Sequence, residues 1–290
     1  MSLISILISL AIESYWDKVD SLRQYDWFES YRNWISEKLA GQTFLETPFG
    51  VLAVVLPPVL LVWLVDSMFG GVLWLFSFLI GIVVLVYCIG PRSLVRDVQA
   101  YLDAVEAGDH TAARQHAAGI LNRPVDEKEK ELAQIVKEAI LVQANDRLIG
   151  VLFWFALLGP VGAVLYRTSV LLKDQTAFEA GGFASAAQDL YWVMNWLPTR
   201  ISILGYALAG NFIDTTSYWD SITDFWTRDS TDLLIASGIG ALRQDLRADV
   251  TEHSDEYFNL GVSHALALIK RTVIVFITLL ALMTLTGLLL

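Results

Sequence analysis

The sequence predicts an all-α integral membrane bundle, with some helices broken or re-entrant and others forming cytoplasmic helical segments. Three observations predict it. Hydrophobic residues make up 55% of the chain and the mean hydropathy is +0.51, where soluble domains hold about 45–50% apolar residues. Charged residues are 18%, against a usual ~25%, and they are blocked into separate segments. Inside those polar segments apolar residues recur at helical spacing, and strand-like alternation is absent.

Taken in order, Leu3 to Ile12 is apolar and Glu13 follows. Without a basic flank or a small-residue cleavage site it reads as a retained N-terminal anchor rather than a signal peptide. It is short for the ~20 residues a span needs unless the helix passes Glu13. Residues 13–45 are polar and rich in Tyr and Trp. They fit either an amphipathic segment at the headgroup layer or plain helix core. Phe49 to Val65 is a span that Pro57-Pro58 kinks without ending. Asp66 to Gly71 reads as a tight turn, and Val72 to Ile89 as the returning span. Cys88, the one cysteine, lies inside it, which rules out an internal disulfide.

The turn carries no Lys or Arg, whereas Arg92 and Arg96 follow the second span directly. By the positive-inside rule the turn is periplasmic and 91–148 cytoplasmic. Residues 91–147 form a helical insert. One helix runs near Val95 to Val105 and ends at Gly108-Asp109. A second, His110 to Leu121, is stopped by Asn122-Arg123-Pro124. A third is signalled by Asp126 with Glu129 three residues on, with Leu132, Ile135, Val136, Ala139 and Ile140 on one stripe. That helix feeds into an apolar run, 148–166, broken at Gly159-Pro160. A second apolar run covers 201–212, a second polar helical segment covers 214–269, and Lys270-Arg271 precede a final span, 272–290. The runs 148–166 and 201–212 form either a crossing pair or a re-entrant one. The whole is a single membrane domain with spans near 3–12, 49–65, 72–89, 148–166, 201–212 and 272–290. The lipid bilayer is its first partner. A net charge of −11 argues against nucleic acid.

No motif carries catalysis. His110, His116, His253 and His264 stand in no HExxH pattern. There is no phosphate loop, and Gly238-Ile-Gly240 lacks the third glycine of a dinucleotide loop, so helix packing explains it. No residue is therefore assigned as catalytic or as a metal ligand, and no cofactor is named. A polar constellation remains: Arg92, Arg123, Glu138, Asp146, Arg167, Asn195 and Arg200. Arginines beside apolar runs suit an anionic small molecule bearing phosphate or carboxylate. They also fit a set of anchors and salt bridges that holds the fold.

The order of these residues resembles a known pattern. Arg92-Ser-Leu, Ala104 to Asp109, Ala113-Arg114, Arg123, Glu138 with Asp146, Leu152-Phe-Trp, Gly159-Pro-x-Gly162, Tyr166-Arg167 and Asn195-Trp-x-Pro-x-Arg200 resemble the CobD/CbiB superfamily of cobalamin synthesis. Within it, Asn145 to Leu148, Phe153-Trp154, Trp196-x-Pro-x-Arg200, Tyr206-Ala-Leu-x-Gly210 and the Trp219–Asp224–Phe225 neighbourhood are most similar to the AmpE family. That resemblance implies a multi-pass protein of the bacterial inner membrane. It would modulate signalling in inducible β-lactamase regulation and cell-wall sensing, with a functional link to the AmpD amidase. The cobalamin enzymes form an amide, and they carry carboxylate motifs where this chain has Val142-Gln143, Val170 to Lys173 and Tyr191-Trp192. The resemblance thus implies a retained ligand pocket without that reaction, one that would take an anionic small molecule such as a nucleotide or a muropeptide-derived ligand. A membrane-bound amide-forming enzyme and a ligand-free scaffold are the alternatives.

Overall fold

A computed structural model describes residues 2–16, 23, 25–38, 48–70, 74–126, 131–177, 179, 181–220, 229–247 and 255–286. Every regular element among them is helical. Three helical stretches are long and apolar enough to cross a membrane: Phe49–Met68, Leu132–Gln175 and Asn259–Leu285. The protein is an all-α membrane helical protein. The chain divides into two compact units, one of residues 1–91, 150–197 and 280–290, the other of residues 92–149 and 198–279.

The first unit begins with α1 (Ser2–Tyr15), which does pass Glu13. Glu13 is 9% exposed and forms an ion pair with the buried Arg23. Helix α2 (Asp26–Lys38) buries Phe28 and Ile35 while Trp27 and Trp34 stay exposed. Helix α3 (Pro48–Gly70) continues through Pro57 and Pro58 without ending. A proline lacks the N–H that would bond the carbonyl four residues earlier. For Pro58 that carbonyl belongs to Val54, and the Tyr31 hydroxyl donates to it at 3.2 Å. The tyrosine of α2 thereby repairs the break in α3. Residues Asp66 to Gly70, expected as a turn, continue α3 instead, and 71–73 lie outside the described residues. Exposed Leu52, Leu56, Leu60, Leu61 and Leu64 coat α3, as a lipid-facing surface requires. Helix α4 (Trp74–Cys88) returns.

The second unit opens with α5 (Leu94–Glu106), whose Leu94, Val98, Tyr101 and Ala104 are buried at helical spacing. Gly108, at φ 72°, turns the chain, and Asp109 caps α6 (His110–Leu121) by accepting from the Thr111 and Ala112 amides. Helix α7 (Leu132–Ala144) does not start where the Asp126 and Glu129 signal suggested. It starts after Glu131, which adopts the left-handed conformation, and Glu129 lies outside the described residues. Its stripe does face inward, with Val136 and Ile140 fully buried.

A five-residue π turn, Asn145–Ile149, joins α7 to α8 (Gly150–Gln175). The expected break in α8 is present: Gly159 has φ 66° and ψ −153°, a region open to glycine, with Pro160 next. The tightened turn beyond it needs a second glycine, because a Cβ on Gly162 would lie 2.3 Å from the Trp154 carbonyl oxygen. Helix α9 (Gly182–Ala209) is far longer than the apolar run 201–212. Its first half buries small residues, Ala184, Ala186 and Ala187, which carry little hydropathy. Helices α10 (Phe212–Asp220), α11 (Ser230–Arg247) and α12 (Asp255–Leu285) complete the chain. The final span is thus the end of a longer helix. Gly238 and Gly240 are packing positions, against Leu141 and the Thr215 backbone. Trp219 donates to the Ser237 hydroxyl at 3.0 Å; Asp224, Phe225 and His253 lie outside the described residues.

The charge pattern makes one topological prediction. Ser67 is exposed, whereas Ser93 is only 6% exposed and a poor reporter. Glu106 is exposed at the end of α5, and the native Cys88 is buried. A membrane-impermeant maleimide should label Ser67→Cys on intact cells and Glu106→Cys only after lysis. The opposite pattern would overturn the orientation.

Candidate functional site

The polar centre of the second unit is the π turn itself. A π turn inserts an extra residue into a helix and rotates the following side chains, and such turns are frequent at functional sites. Here it turns Asn145, Asp146 and Arg147 inward; they are 0%, 2% and 1% exposed. The Asn145 amide bonds the Val142 carbonyl, which takes it from the Leu141 carbonyl four residues back. The Tyr206 hydroxyl, from α9, donates to that Leu141 oxygen at 2.6 Å. Ser202 donates to the Asn145 side-chain oxygen at 2.8 Å, and the Asn145 amide nitrogen donates to Asp146 at 3.2 Å. These bonds fix α9, which carries the buried Thr199 and Arg200, in register with the turn.

Arg147 looks outward in the sequence, as a positive anchor before an apolar run. It is a buried cross-link instead. Its Nε donates to Gln143 at 2.7 Å and its Nη1 reaches Asp97 at 3.5 Å. Its Nη2 donates to the carbonyls of Gly119 and Ile120 and to Asn122 Oδ1, at 2.9, 3.2 and 2.9 Å. The end of α6 leaves carbonyls with no helical partner, and a cation there also suits the helix dipole. One guanidinium therefore caps α6, anchors its left-handed Asn122 and neutralises Asp97 on α5.

The other expected site residues are distributed as follows. Arg92 and Arg123 are exposed on the second unit, Arg123 donating to the Pro124 carbonyl at 3.2 Å. Glu138 is half-buried and accepts from Gln134. Asp146 and Arg200 are buried in the same unit. Arg167 and Asn195 belong to the first unit. Asn195 is fully buried between two tyrosines: the Tyr166 hydroxyl donates to its oxygen at 2.9 Å, and its nitrogen donates to the Tyr191 hydroxyl at 2.8 Å. Gly150 makes room for that ring, since a Cβ there would lie 2.2 Å from Tyr166 Cζ. Arg167 lies over the Tyr25 ring, 4.6 Å from its centroid. Sequence reasoning passed over Lys137, 6% exposed within an apolar stripe, and Tyr25, which stands far from Arg167 in the chain. Neither carries a local signal.

Two of the motifs answer each other structurally. Pro198 has no N–H for the Met194 carbonyl, and the Trp154 indole donates to that oxygen at 2.9 Å. Trp154→Phe should lower stability by about 1–3 kcal/mol, the cost of an unsatisfied buried carbonyl. Thermal unfolding would show it, with the exposed Trp192→Phe as a control expected within about 0.5 kcal/mol. Equal midpoints for both variants would remove this role for Trp154.

The family model described as "CobD/Cbib protein" matches residues 6–238. The chain belongs to the CobD/CbiB family. Among curated proteins, this CobD/CbiB chain is 32% identical over 194 residues to the cobalamin biosynthesis protein CobD of Stutzerimonas stutzeri, covering 65% of this chain and 62% of that protein. It is 28% identical over 186 residues to the protein of the same name from Chromobacterium violaceum, covering 62% and 59% respectively. The chain thus spans about three fifths of the length of these relatives. No solved structure matches it. The matched region of the family model contains all seven expected site residues and the π turn.

Proposed function

We propose that this CobD/CbiB chain is an inner-membrane binding protein that takes an anionic, phosphate- or carboxylate-bearing ligand and modulates signalling in the manner of AmpE, without forming an amide. Asp146, Arg200 and Glu138 are the ligand-side charges in the second unit, and exposed Arg92 and Arg123 draw the anion from water. Arg167 and Asn195 belong to the first unit and make their contacts with Tyr25, Tyr166 and Tyr191 within it.

This reading is supported by what stands where the resemblance places the carboxylates of the cobalamin enzymes. Gln143 accepts from Arg147 at 2.7 Å. Tyr191 accepts from Asn195, and Lys173 lies 4.2 Å from the Tyr191 ring centroid and 3.2 Å from Asp174. Each is tied into packing contacts. None offers the carboxylate that would hold a metal ion or orient a phosphorylated intermediate.

A second reading has its own support. The relatives are named cobalamin biosynthesis proteins, which favours a membrane-bound amide-forming enzyme more directly than it favours regulation. Complementation separates the two. In a strain lacking its CobD-type enzyme, this chain should not restore cobalamin-dependent growth, while deleting it from its host should change β-lactamase induction. Robust growth would overturn the regulatory reading in favour of the enzymatic one.

A further inference from the structure

The first unit contains a cavity of about 420 Å³, within the range of ligand-sized pockets. It lies among α2, α3, α4 and α8, with Leu61, Val83, Val84 and Leu171 among its walls. Leu61 and Val83 are 63% and 67% exposed, and Leu61 stands on α3, one of the helices long enough to span the membrane. The cavity therefore opens toward the acyl chains, not toward bulk water.

One charge faces this apolar space. Arg167 lines the cavity and is only 5% exposed. Its Nε has no hydrogen-bond partner, and no carboxylate of the described residues lies within ion-pair distance of it. The Tyr25 ring below it supplies a cation–π contact at 4.6 Å, which offsets part of the cost of a buried cation. Tyr25 is itself fixed, donating to the Tyr87 carbonyl at 2.6 Å, while the Trp27 indole donates to the Tyr87 hydroxyl. The guanidinium is thus held on a rigid aromatic platform with its Nε donor unused, at the head of an apolar groove.

We propose that this cavity is a binding site for an anionic phospholipid. The phosphate accepts from Arg167 and one acyl chain lies along Leu61, Val83 and Leu171. Guanidinium donors match phosphate geometry, and a lipid phosphate brings its own apolar chain. A soluble anion would have nothing to place in the groove. This site is separate from the ligand site proposed for the second unit.

The test uses the full chain purified in detergent. Thermal unfolding is followed with added phosphatidylglycerol, with phosphatidylcholine of the same chains, and with soluble glycerol 3-phosphate. Native mass spectrometry counts retained lipid. Phosphatidylglycerol should raise the midpoint saturably and remain bound at one per chain, while the other two leave the midpoint unchanged. Arg167→Gln should abolish the shift and reduce retained lipid at least fivefold. Val83→Trp, which fills the groove from an exposed position without removing the cation, should do the same, and it decides the matter if Arg167→Gln does not fold. Equal shifts with the zwitterionic lipid, a shift with glycerol 3-phosphate alone, or an undiminished shift in Val83→Trp would each overturn the proposal.

Discussion

Replacing Arg147 by alanine should cost about 3–5 kcal/mol, the range for removing one partner of a buried ion pair. The change removes five donor contacts at once. It strips the 9%-exposed Asp97 of this guanidinium and leaves the Gly119 and Ile120 carbonyls and the Asn122 oxygen without their donor. Buried acceptors without partners add their own desolvation cost. At roughly 2–4 °C per kcal/mol in a domain of this size, the thermal midpoint should fall by about 10 °C. Arg147→Lys should recover only a fraction, because an ammonium cannot serve Gln143, Asp97 and the α6 carbonyls from one position. Arg92→Ala and Arg123→Ala, on exposed side chains, should stay within about 0.5 kcal/mol. A loss below 1 kcal/mol in Arg147→Ala would mean that α6 is held without this cap.

That contrast marks what the sequence could reveal. Local chemistry was legible. The α6 boundaries follow from Asp109 and Asn122, and the break in α8 from Gly159-Pro160. The two membrane helices with dense hydropathy were found as well, though the last begins well before its apolar part. Partnerships across long separations were not legible. Nothing near Arg147 announces Asp97, fifty residues earlier, and nothing near Met194 announces the Trp154 indole. The first half of α9 escaped because it packs through three alanines and Tyr191 more than through large aliphatic side chains. Grouping Arg167 and Asn195 with Asp146 came from a shared adjacency to apolar runs. The contacts they make are with Tyr25, Tyr166 and Tyr191, which hydropathy does not register.

Asp146→Asn should abolish function while leaving the protein folded and membrane-inserted. The change keeps size and an oxygen that can still accept from the Asn145 amide, a bond of 3.2 Å in the parent. It removes the negative charge. If that charge helps to orient the arginines toward an anionic ligand, its loss disturbs binding far more than packing. The expected record is a thermal midpoint within about 3 °C of the parent, equivalent to ~1 kcal/mol. β-Lactamase induction should be indistinguishable from that of a deletion strain. If Asp146 only holds the π turn together, the midpoint and the signal should fall in parallel. The two cases differ again when ligand is added. Specific binding to the folded state stabilises it by RT ln(1 + [L]/Kd), about 2.7 kcal/mol at a hundredfold excess over Kd. A nucleotide or muropeptide fragment that stabilises the parent chain should therefore lose its effect on Asp146→Asn and keep it on Trp154→Phe, which is destabilised at a position outside the proposed ligand set. Loss of the ligand effect in both variants would assign Asp146 to the scaffold.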